Sequence, residues 1–307
     1  MVKSLTVQNY RKESAKIVLC EDCPSHGMII SQIEGLGPPK ASINLSNFVT
    51  KDGGIFNSSR VEDRNLVLHL YLVDAPTIED ARLNVYKYFP IQKKCRIRVE
   101  TDRRKAQVYG YVESVEPEIF SDMESVQVSI ICPESYWQSI EDGGSQITLF
   151  SGENPLFEFP FSNESLSNDL LELSESNKVT EGIVDYAGDV GCGVSMVLYV
   201  VDSLLTVGSP SSVTITNHTT NDMMTLNLNG LTLQQDDEIR IDTTFGNKSI
   251  VLYRDGTTTN LLNRLGSTSE WLRITRGENL ISYSVGTEQQ QRAFDLTISN
   301  SVWYEGM

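Results

Sequence analysis

Alternation of apolar and polar residues predicts β-strands through most of the first half of the chain. The segment RNLVLHLYLV (64–73) places four leucines on one face, which is typical of a largely buried strand. The same alternation recurs in KCRIRVE (94–100), AQVYGYVESVEP (106–117) and ESVQVSIICPES (124–135). Turn residues separate these runs, so they predict an antiparallel meander or sandwich.

One segment of the first half has helical periodicity instead. In PTIEDARLNVYKYFP (76–90), apolar residues recur at helical spacing, Thr77 is a candidate N-cap, and acidic residues fill the first turn. Pro90 ends the helix, because proline disfavours helical geometry in the residue before it. The fold class is therefore mainly β, with an α+β N-terminal domain (residues 1–140) that contains one packed helix.

The second half, residues 141–307, is predicted to be almost entirely β. A composition break at 140–155 marks the domain boundary. Short strands then recur, with turn signals such as Asn229-Gly230 and Asp255-Gly256 between them. Many short strands with regular turns predict a β-sandwich, and the polar stretch 162–181 is interpreted as a long loop.

Charge is divided unevenly between the halves. Of the net charge of −16, residues 1–140 contribute −1 (17 Lys and Arg against 18 Asp and Glu) and residues 141–307 contribute −15 (8 against 23). A balanced half is typical of a surface that packs against protein, and the acidic half predicts a soluble, self-repelling body. Neither half predicts the basic patch of a specific nucleic-acid-binding protein.

No apolar run approaches the ~18 residues of a membrane-spanning helix, so no membrane insertion is expected. The first residues lack the apolar core of a secretion signal. Five cysteines, an odd number, then predict reduced thiols and a cytoplasmic setting for synthesis.

Side chains for catalysis are scarce. The chain has three histidines, His26, His69 and His218, and His69 lies in the leucine-rich strand, where a structural role is the simpler interpretation. No nucleophile elbow, phosphate-binding loop, zinc-protease motif or dinucleotide fingerprint is present. No catalytic residue can be assigned, and we expect no enzyme.

One fragment, CEDCPSH, has the spacing of metal ligands. Cys20 and Cys23 form a C-x2-C pair and His26 follows, but a structural zinc site needs four ligands, usually two spaced pairs. Cys95 and Cys132 are not such a pair, although folding could bring them near. Cys20, Cys23 and His26 are an incomplete candidate metal site, the alternative is two thiols beside a turn, and no cofactor is predicted.

Two features of the second half allow a ligand-binding interpretation. Asp236 and Asp237 are most simply turn residues, and a calcium site is the weaker alternative because no EF-hand spacing surrounds them. Trp271, Trp303 and Tyr304 could stack on a sugar, although packing in the sandwich core is the commoner role of single tryptophans. A carbohydrate-binding, lectin-like protein is therefore the alternative function.

An unusual segment, GMIISQIEGLGPPKASINLSNFVTKDGGIF, occupies residues 27–56. It opens as a strand and then runs through two prolines and polar residues to the Gly53-Gly54 pair and an isolated Phe56. It has no side chain suited to catalysis, and loops longer than ~12 residues are uncommon without a role. We interpret it as a long extended excursion.

The order of these features resembles the phage distal tail (Dit) proteins of the siphovirus-type tail component family. The resemblance rests on IEGLGPPKASIN after an opening strand, DGGIFNSSRVEDRNLVLHLYL, the capped helix, and a meander that ends in ICPESYW. In the second half it rests on TTFGNKSIVLYRDGTTTNLLNRLGSTSEWLRITRGENLISYSVG and the ending WYEGM. It covers about residues 14–307, and the C-terminal domain resembles a galectin-like β-sandwich.

The resemblance implies a structural role at the virion tail tip. Dit proteins form a hexameric ring that joins the tail tube protein to the tail-associated hub protein, and the ring can also anchor receptor-binding proteins. In such a ring, the excursion would contact the neighbouring subunit as a clasp, the alternative being an ordinary surface loop. The candidate contact residues are Lys51, Gly53, Gly54, Ile55 and Phe56, with Phe56 as an apolar anchor.

Overall fold

The computed structural model describes residues 2–18, 26–48, 52–73, 76–119, 124–141, 145–150, 154–155, 174–175, 180–202 and 208–307. The chain forms two compact units. Unit 1 comprises Met1–Ser145 together with Trp303–Met307, and unit 2 comprises Gln146–Val302. None of the helices in the described ranges has the length and apolar character needed to cross a membrane.

Unit 1 is an antiparallel sheet with one helix. Its elements are β1 (Val2–Gln8), β2 (Ser14–Val18), β3 (Met28–Glu34), β4 (Ala41–Asn47), β5 (Gly54–Val61), β6 (Arg64–Leu72), α1 (Ile78–Tyr88), β7 (Lys94–Thr101), β8 (Lys105–Glu118), β9 (Ser125–Cys132), β10 (Trp137–Ser139) and, from the C-terminal segment, β25 (Trp303–Tyr304). The main sheet has the order β2-β1-β7-β8-β9-β6-β3, and β10 pairs with both β8 and β25. The edge strands β2 and β3 also contact each other, so the sheet curls on itself.

The core of unit 1 follows the predicted alternation. The four leucines of β6 at positions 66, 68, 70 and 72 are buried, as are Ile97 and Val99 of β7 and Val128 of β9. Each strand therefore turns alternate residues inward, as the sequence pattern predicts. The mainly β fold class is confirmed.

Helix α1 begins and ends where the sequence predicts. Thr77 is the N-cap, and its hydroxyl accepts a hydrogen bond from the backbone N–H of Asp80 while the Asp80 carboxylate accepts from Thr77 in return. Two orphan groups are thereby satisfied at the first turn. Ala81, Val85 and Tyr88 are buried, so the predicted apolar face is the packed one.

Unit 2 consists mainly of short strands. They are β11 (Ser145–Phe150), β12 (Asn154–Pro155), β13 (Ser174–Glu175), β14 (Glu181–Tyr186), β15 (Cys192–Gly193), β16 (Ser195–Val200), β17 (Ser212–Asn217), β18 (Asp222–Asn227), β19 (Glu238–Asp242), β20 (Ser249–Arg254), β21 (Thr257–Asn260), β22 (Arg273–Ile274), β23 (Gly277–Val285) and β24 (Phe294–Ser301). A short 3-10 helix spans Leu262–Arg264 and α2 spans Glu288–Gln291.

Two sheets of unit 2 pack face to face. One has the order β14-β23-β17-β18 and the other β11-β24-β16-β19-β20-β21. The rings of Phe150 in one sheet and Tyr283 in the other meet edge to face with centroids 6.4 Å apart. Ile281, Leu198 and Phe294 are also fully buried, so the space between the sheets is an apolar core typical of a β-sandwich.

Two segments differ from the sequence prediction. The segment predicted as a long extended excursion contains two paired strands and forms an antiparallel hairpin, β4–β5. The last residues of the chain form β25 and lie in unit 1, whereas the sequence pattern carries the second domain to residue 307. Most of the predicted loop at 162–181 lies outside the described residues.

Candidate functional site

The β4–β5 hairpin is the most unusual surface of unit 1. All residues of both strands are exposed, and the hairpin forms a separate two-stranded sheet. Its large apolar side chains are exposed rather than packed: Ile43, Leu45, Phe48, Ile55, Phe56 and Val61. A two-stranded hairpin alone is marginally stable in water, and contiguous exposed apolar groups mark interaction sites.

The predicted contact residues lie at the tip end of this hairpin. Gly53 has φ of +97°, a conformation that favours glycine, and Gly54 begins β5. Ile55 and Phe56 follow, and Phe56 is 60% exposed. The fifth predicted residue, Lys51, lies outside the described residues. Gly53 therefore has the backbone conformation that favours glycine, and the apolar pair Ile55 and Phe56 stands in solvent beside it.

Cross-strand contacts keep the hairpin regular. The register pairs Ala41 with Val61 and Asn47 with Gly54, with a bulge between Asn44 and Leu45. The amide of Asn57 donates to the Ser46 hydroxyl at 2.6 Å. The side chains are thus presented by an ordered ladder, since a bulge twists a strand without ending its pairing.

One buried arginine holds the base of the hairpin. Arg64, the first residue of β6, is 3% exposed, and its guanidinium donates to the carbonyl oxygens of Gly35, Gly37, Ser135 and Glu305. The distances to Gly37 and Glu305 are both 2.6 Å. These four acceptors come from three separate chain segments, so a single side chain joins them.

The positive charge of Arg64 is stabilised by backbone carbonyl dipoles rather than by a carboxylate. Burial lowers the pKa of Arg64 from its ordinary value, because the charged form is desolvated. An arginine nevertheless stays protonated in proteins. The four carbonyl oxygens offset the buried charge, and the Trp137 ring lies 5.4 Å from the guanidinium carbon.

We call Arg64 with its four carbonyl acceptors the clamp. The C-terminal segment, 303–307, contributes one of these acceptors and makes further contacts beside it. The backbone N–H of Met307 donates to Leu36 at 3.0 Å. Arg104 donates to the Gly306 carbonyl at 2.6 Å and lies 4.2 Å over the Tyr304 ring. A Cβ at Gly306 would come within 3.2 Å of Pro38. The tail therefore packs directly on the segment that leads into β4.

The other strand of the hairpin base is fixed as well. The Glu62 N–H donates to the Lys40 carbonyl at 2.8 Å, closing the base of the hairpin. The Ser135 hydroxyl donates to the Glu62 carbonyl at 2.7 Å. Both ends of the hairpin are thus tied to the body of unit 1, although its strands contact solvent on all sides.

The candidate metal site gains no support from the described residues. Cys20 and Cys23 lie outside them, and His26 is exposed, with its ring 5.1 Å from that of Tyr88. Within the described ranges no three metal-ligating side chains are grouped together. Burial raises the pKa of Cys95 and of Cys132 to about 12, so both are neutral thiols near neutral pH.

The candidate sugar-binding aromatics are divided between the two units. Trp303 and Tyr304 belong to unit 1, where Tyr304 is buried under Arg104, so neither packs in the sandwich as predicted. Trp271 belongs to unit 2 and lies 5.2 Å from the Lys248 ammonium.

The two aspartates have more than a turn role. Asp237 is buried, and its carboxylate accepts two hydrogen bonds from Arg254. Asp236, which adopts a positive φ of 68°, accepts from the Tyr199 hydroxyl. They stabilise the start of β19 rather than offering an open calcium site.

Comparison with solved structures identifies a protein of the same fold, whereas comparison with protein families and curated sequences identifies no relative. No protein-family model and no curated protein matches the chain. Among solved structures, SPP1 Dit (gp 19.1), described as a paradigm of the hub adsorption apparatus of phages that infect Gram-positive bacteria, is 9% identical. The match covers 97% of this chain and 99% of that protein, with a TM-score of 0.63.

Two structures of the phage P2 baseplate in its activated conformation, with Ca and with Sr, also match. Each is 11% identical, and the matches cover 98% of this chain and 99% of theirs, with TM-scores of 0.45 and 0.44. These scores are too low to carry an argument. The chain therefore has the fold of SPP1 Dit along almost its whole length, and the predicted resemblance to phage distal tail proteins is confirmed at the level of the fold.

Proposed function

We propose that this protein is a structural component of a phage tail tip that associates with copies of itself into a closed ring. The observation that carries the proposal is the exposed apolar hairpin on a unit with the fold of SPP1 Dit. No constellation of catalytic side chains competes with this assignment among the described residues. The protein acts by binding other proteins rather than by chemistry.

The hairpin acts as the clasp between neighbouring subunits. Its apolar side chains remain between 36% and 60% exposed within the described part of their own chain, although the hairpin is anchored at its base. A neighbouring copy that covers them removes apolar surface from water, which is the main driving force of association. Aromatic anchors such as Phe56 typically dominate the energy of an interface.

A hairpin that inserts into a different surface of the next copy makes a head-to-tail contact. Such contacts close into rings when the rotation per subunit is right. We take six as the number of subunits from the resemblance to the distal tail family. The near-neutral charge of residues 1–140 favours close packing of copies, and the acidic second half keeps the assembly soluble.

In the assembled tail, the ring joins the tail tube protein to the tail-associated hub protein, with receptor-binding proteins as further possible partners. The support is the likeness to SPP1 Dit, whose structure is described as part of a hub adsorption apparatus. Unit 2 would project outward from the ring. The protein is synthesised in the bacterial host and functions at the virion tail tip.

The decisive experiment measures the mass of the purified chain by light scattering, with negative-stain microscopy of the same fractions. The expected result is a ring with a central hole and a mass near six protomers. A protein that remains a monomer at high concentration contradicts the proposal.

The clasp is tested with the double variant Ile55→Ser and Phe56→Ser. Truncating an interface anchor typically costs ~2 kcal/mol or more, so the ring should dissociate at concentrations where the parent protein is assembled. The matched control is Ile147→Ser with Leu149→Ser, two equally exposed apolar residues of β11 in unit 2. Rings that survive the hairpin change as well as the control change rule out the clasp.

A further inference from the structure

One end of the curled sheet of unit 1 carries a row of positive charges. The outward residues of β7 are Lys94, Arg96 and Arg98, since their neighbours Ile97 and Val99 point into the core. Arg98 and Lys16 both pair with Thr6, so Lys16 of β2 lies in the same cross-strand row.

These basic groups are not neutralised within the described part of the chain. Lys94, Arg96 and Arg98 have no carboxylate within ion-pair distance there. Lys94 and Arg96 instead lie over the ring of Tyr109, at 4.6 and 5.5 Å. Stacking on one ring fixes the two cations side by side and leaves their charge available to a partner.

The same outer face of the sheet is acidic at its other end. Beyond a bulge in β8, Glu116 pairs with Gln127 and Glu118 pairs with Ser125, so both carboxylates point to the outer face. Glu113, in the bulge, and Glu34, on β3, are exposed nearby. The far half of the sheet therefore carries four carboxylates.

A groove of about 480 Å³ is lined by two of these four acidic side chains. Glu116 and Glu118 line one side of it, and His69 and Tyr71 of β6 line the other. The His69 Nε2 atom is shielded from solvent without a hydrogen bond, 3.4 Å from a carboxylate oxygen of Glu34. The acidic end is thus concave, which suits protruding side chains of a partner.

The curl of the sheet turns the two ends in different directions. Adjacent strands rotate by roughly 20–25°, and here the edge strands β2 and β3 meet. A head-to-tail ring requires two different patches on one subunit, one for each neighbour. Residues 1–140 are nearly neutral because opposite charges cancel in the sum, although they are separated on the surface.

Resting on the proposed ring, we propose that the basic face of β7 docks against the acidic groove of the next copy. The occupant of the groove is a second copy of this chain, since the charges complement each other and unit 1 carries both. Complementary charges set the orientation of a contact and speed its formation more than they add affinity. The hairpin supplies apolar anchoring, and the two charged faces give the ring its direction.

The test uses two charge-reversed proteins. The acid-reversed protein carries Glu116→Lys with Glu118→Lys, and the base-reversed protein carries Arg96→Glu with Arg98→Glu. Each alone presents like charges to its own copies and should assemble at least tenfold less tightly than the parent protein, measured by mass photometry over a dilution series.

Mixing the two proteins provides the decisive result. In an equimolar mixture, the unchanged basic face of one meets the unchanged groove of the other, and the two reversed faces also complement each other. Rings with alternating subunits should form, and the recovery should be strongest at low salt. This rescue also shows that both variants are folded.

The outcomes separate the two proposals. A parent protein that never assembles overturns the ring and this inference together. Variants that assemble alone as tightly as the parent, or a mixture that does not recover, overturn the charged contact and leave the ring intact. Loss of DNA binding by the base-reversed protein with normal assembly assigns the basic face to nucleic acid and also overturns it. The control, Glu181→Lys with Glu278→Lys in unit 2, should assemble normally.

Discussion

Replacing Arg64 with methionine should destabilise unit 1 more than replacing any of its exposed charged residues. Arg64 is 3% exposed and donates to four backbone carbonyl oxygens. Methionine fills much of the same space and can pack on Trp137, but it donates no hydrogen bond. The change therefore tests the hydrogen bonds rather than the volume.

The magnitude follows from the four acceptors. A typical hydrogen bond contributes ~1 kcal/mol net, and one to a charged group contributes ~1.5–3 kcal/mol. Four bonds set an upper range well above 4 kcal/mol, but removing the buried charge also relieves its desolvation. We expect a net loss of about 3 kcal/mol in the free energy of unfolding of unit 1.

The assay is urea unfolding followed by tryptophan fluorescence in a Trp271→Phe background. Unit 1 then contains both remaining tryptophans, Trp137 and Trp303, so the signal reports on that unit alone. Protein concentration is varied, because self-association stabilises the assembled form by mass action. A shift in the midpoint at unchanged slope gives the loss of stability.

The control is Arg103→Met, which changes an exposed arginine in the β7–β8 turn. Surface substitutions of this kind usually stay within ~0.5 kcal/mol. The interpretation of Arg64 as a clamp is refuted if its variant loses less than about 1 kcal/mol, or no more than the Arg103 variant.

Three further predictions use the same unit. Gly35→Ala should unfold unit 1 at lower urea, because φ is +84° and a Cβ would collide with the carbonyl of Asn65; an unchanged midpoint contradicts this. Since burial raises the pKa of Cys95 and Cys132 from 9.0 to about 12, unfolded thiols ionise first, and stability should fall between pH 9 and 12 by up to ~1.4 kcal/mol per pH unit for each thiol. Replacing both cysteines with valine should remove that slope, and an equal slope in the variant refutes it. Joining β10 to β25 with a short Gly/Ser linker in place of residues 141–302 should leave unit 1 folded by circular dichroism, because these strands are antiparallel neighbours; a product without a cooperative melt contradicts it.

Most strands of both units were predictable because one face of each is buried. In β6 the buried leucines alternate with residues that are partly or fully exposed, so the order of residue types predicts which face is buried. Helix α1 was equally predictable, since its cap residue and its proline stop act locally. Local rules suffice where a segment packs against the core of its own unit.

The hairpin escaped that reasoning for a physical reason. Alternation identifies a strand only when one face is buried, and both faces of β4 and β5 are exposed. Ile55 and Phe56 are adjacent, which fits neither a helical nor an alternating pattern. The proposed contact with a neighbouring subunit would account for apolar residues that no face of the hairpin buries.

The sequence analysis did not identify the clamp, although the position of Arg64 in the strand indicates that it is buried. Arg64 continues the inward-facing series of Leu66 and Leu68 at a spacing of two, so an arginine at that position is predicted to be buried. What no local rule could identify is its partner Glu305, which is 241 residues away in sequence. Pairing over such a separation depends on topology rather than on pattern.

The clamp also links two segments of unit 1 that are far apart in sequence, the hairpin base and the C-terminal residues. Arg64 can be buried as a cation only when its carbonyl partners are in place, and one of them, Glu305, follows the whole of unit 2 in the sequence. The hairpin base is therefore complete only after the C-terminal segment has packed against Leu36 and Pro38. Because unpaired buried charge is strongly unfavourable, the hairpin base and the C-terminal segment stabilise each other. In the proposed ring, a rigid base would let the exposed hairpin bind a neighbour without the entropy cost of ordering itself.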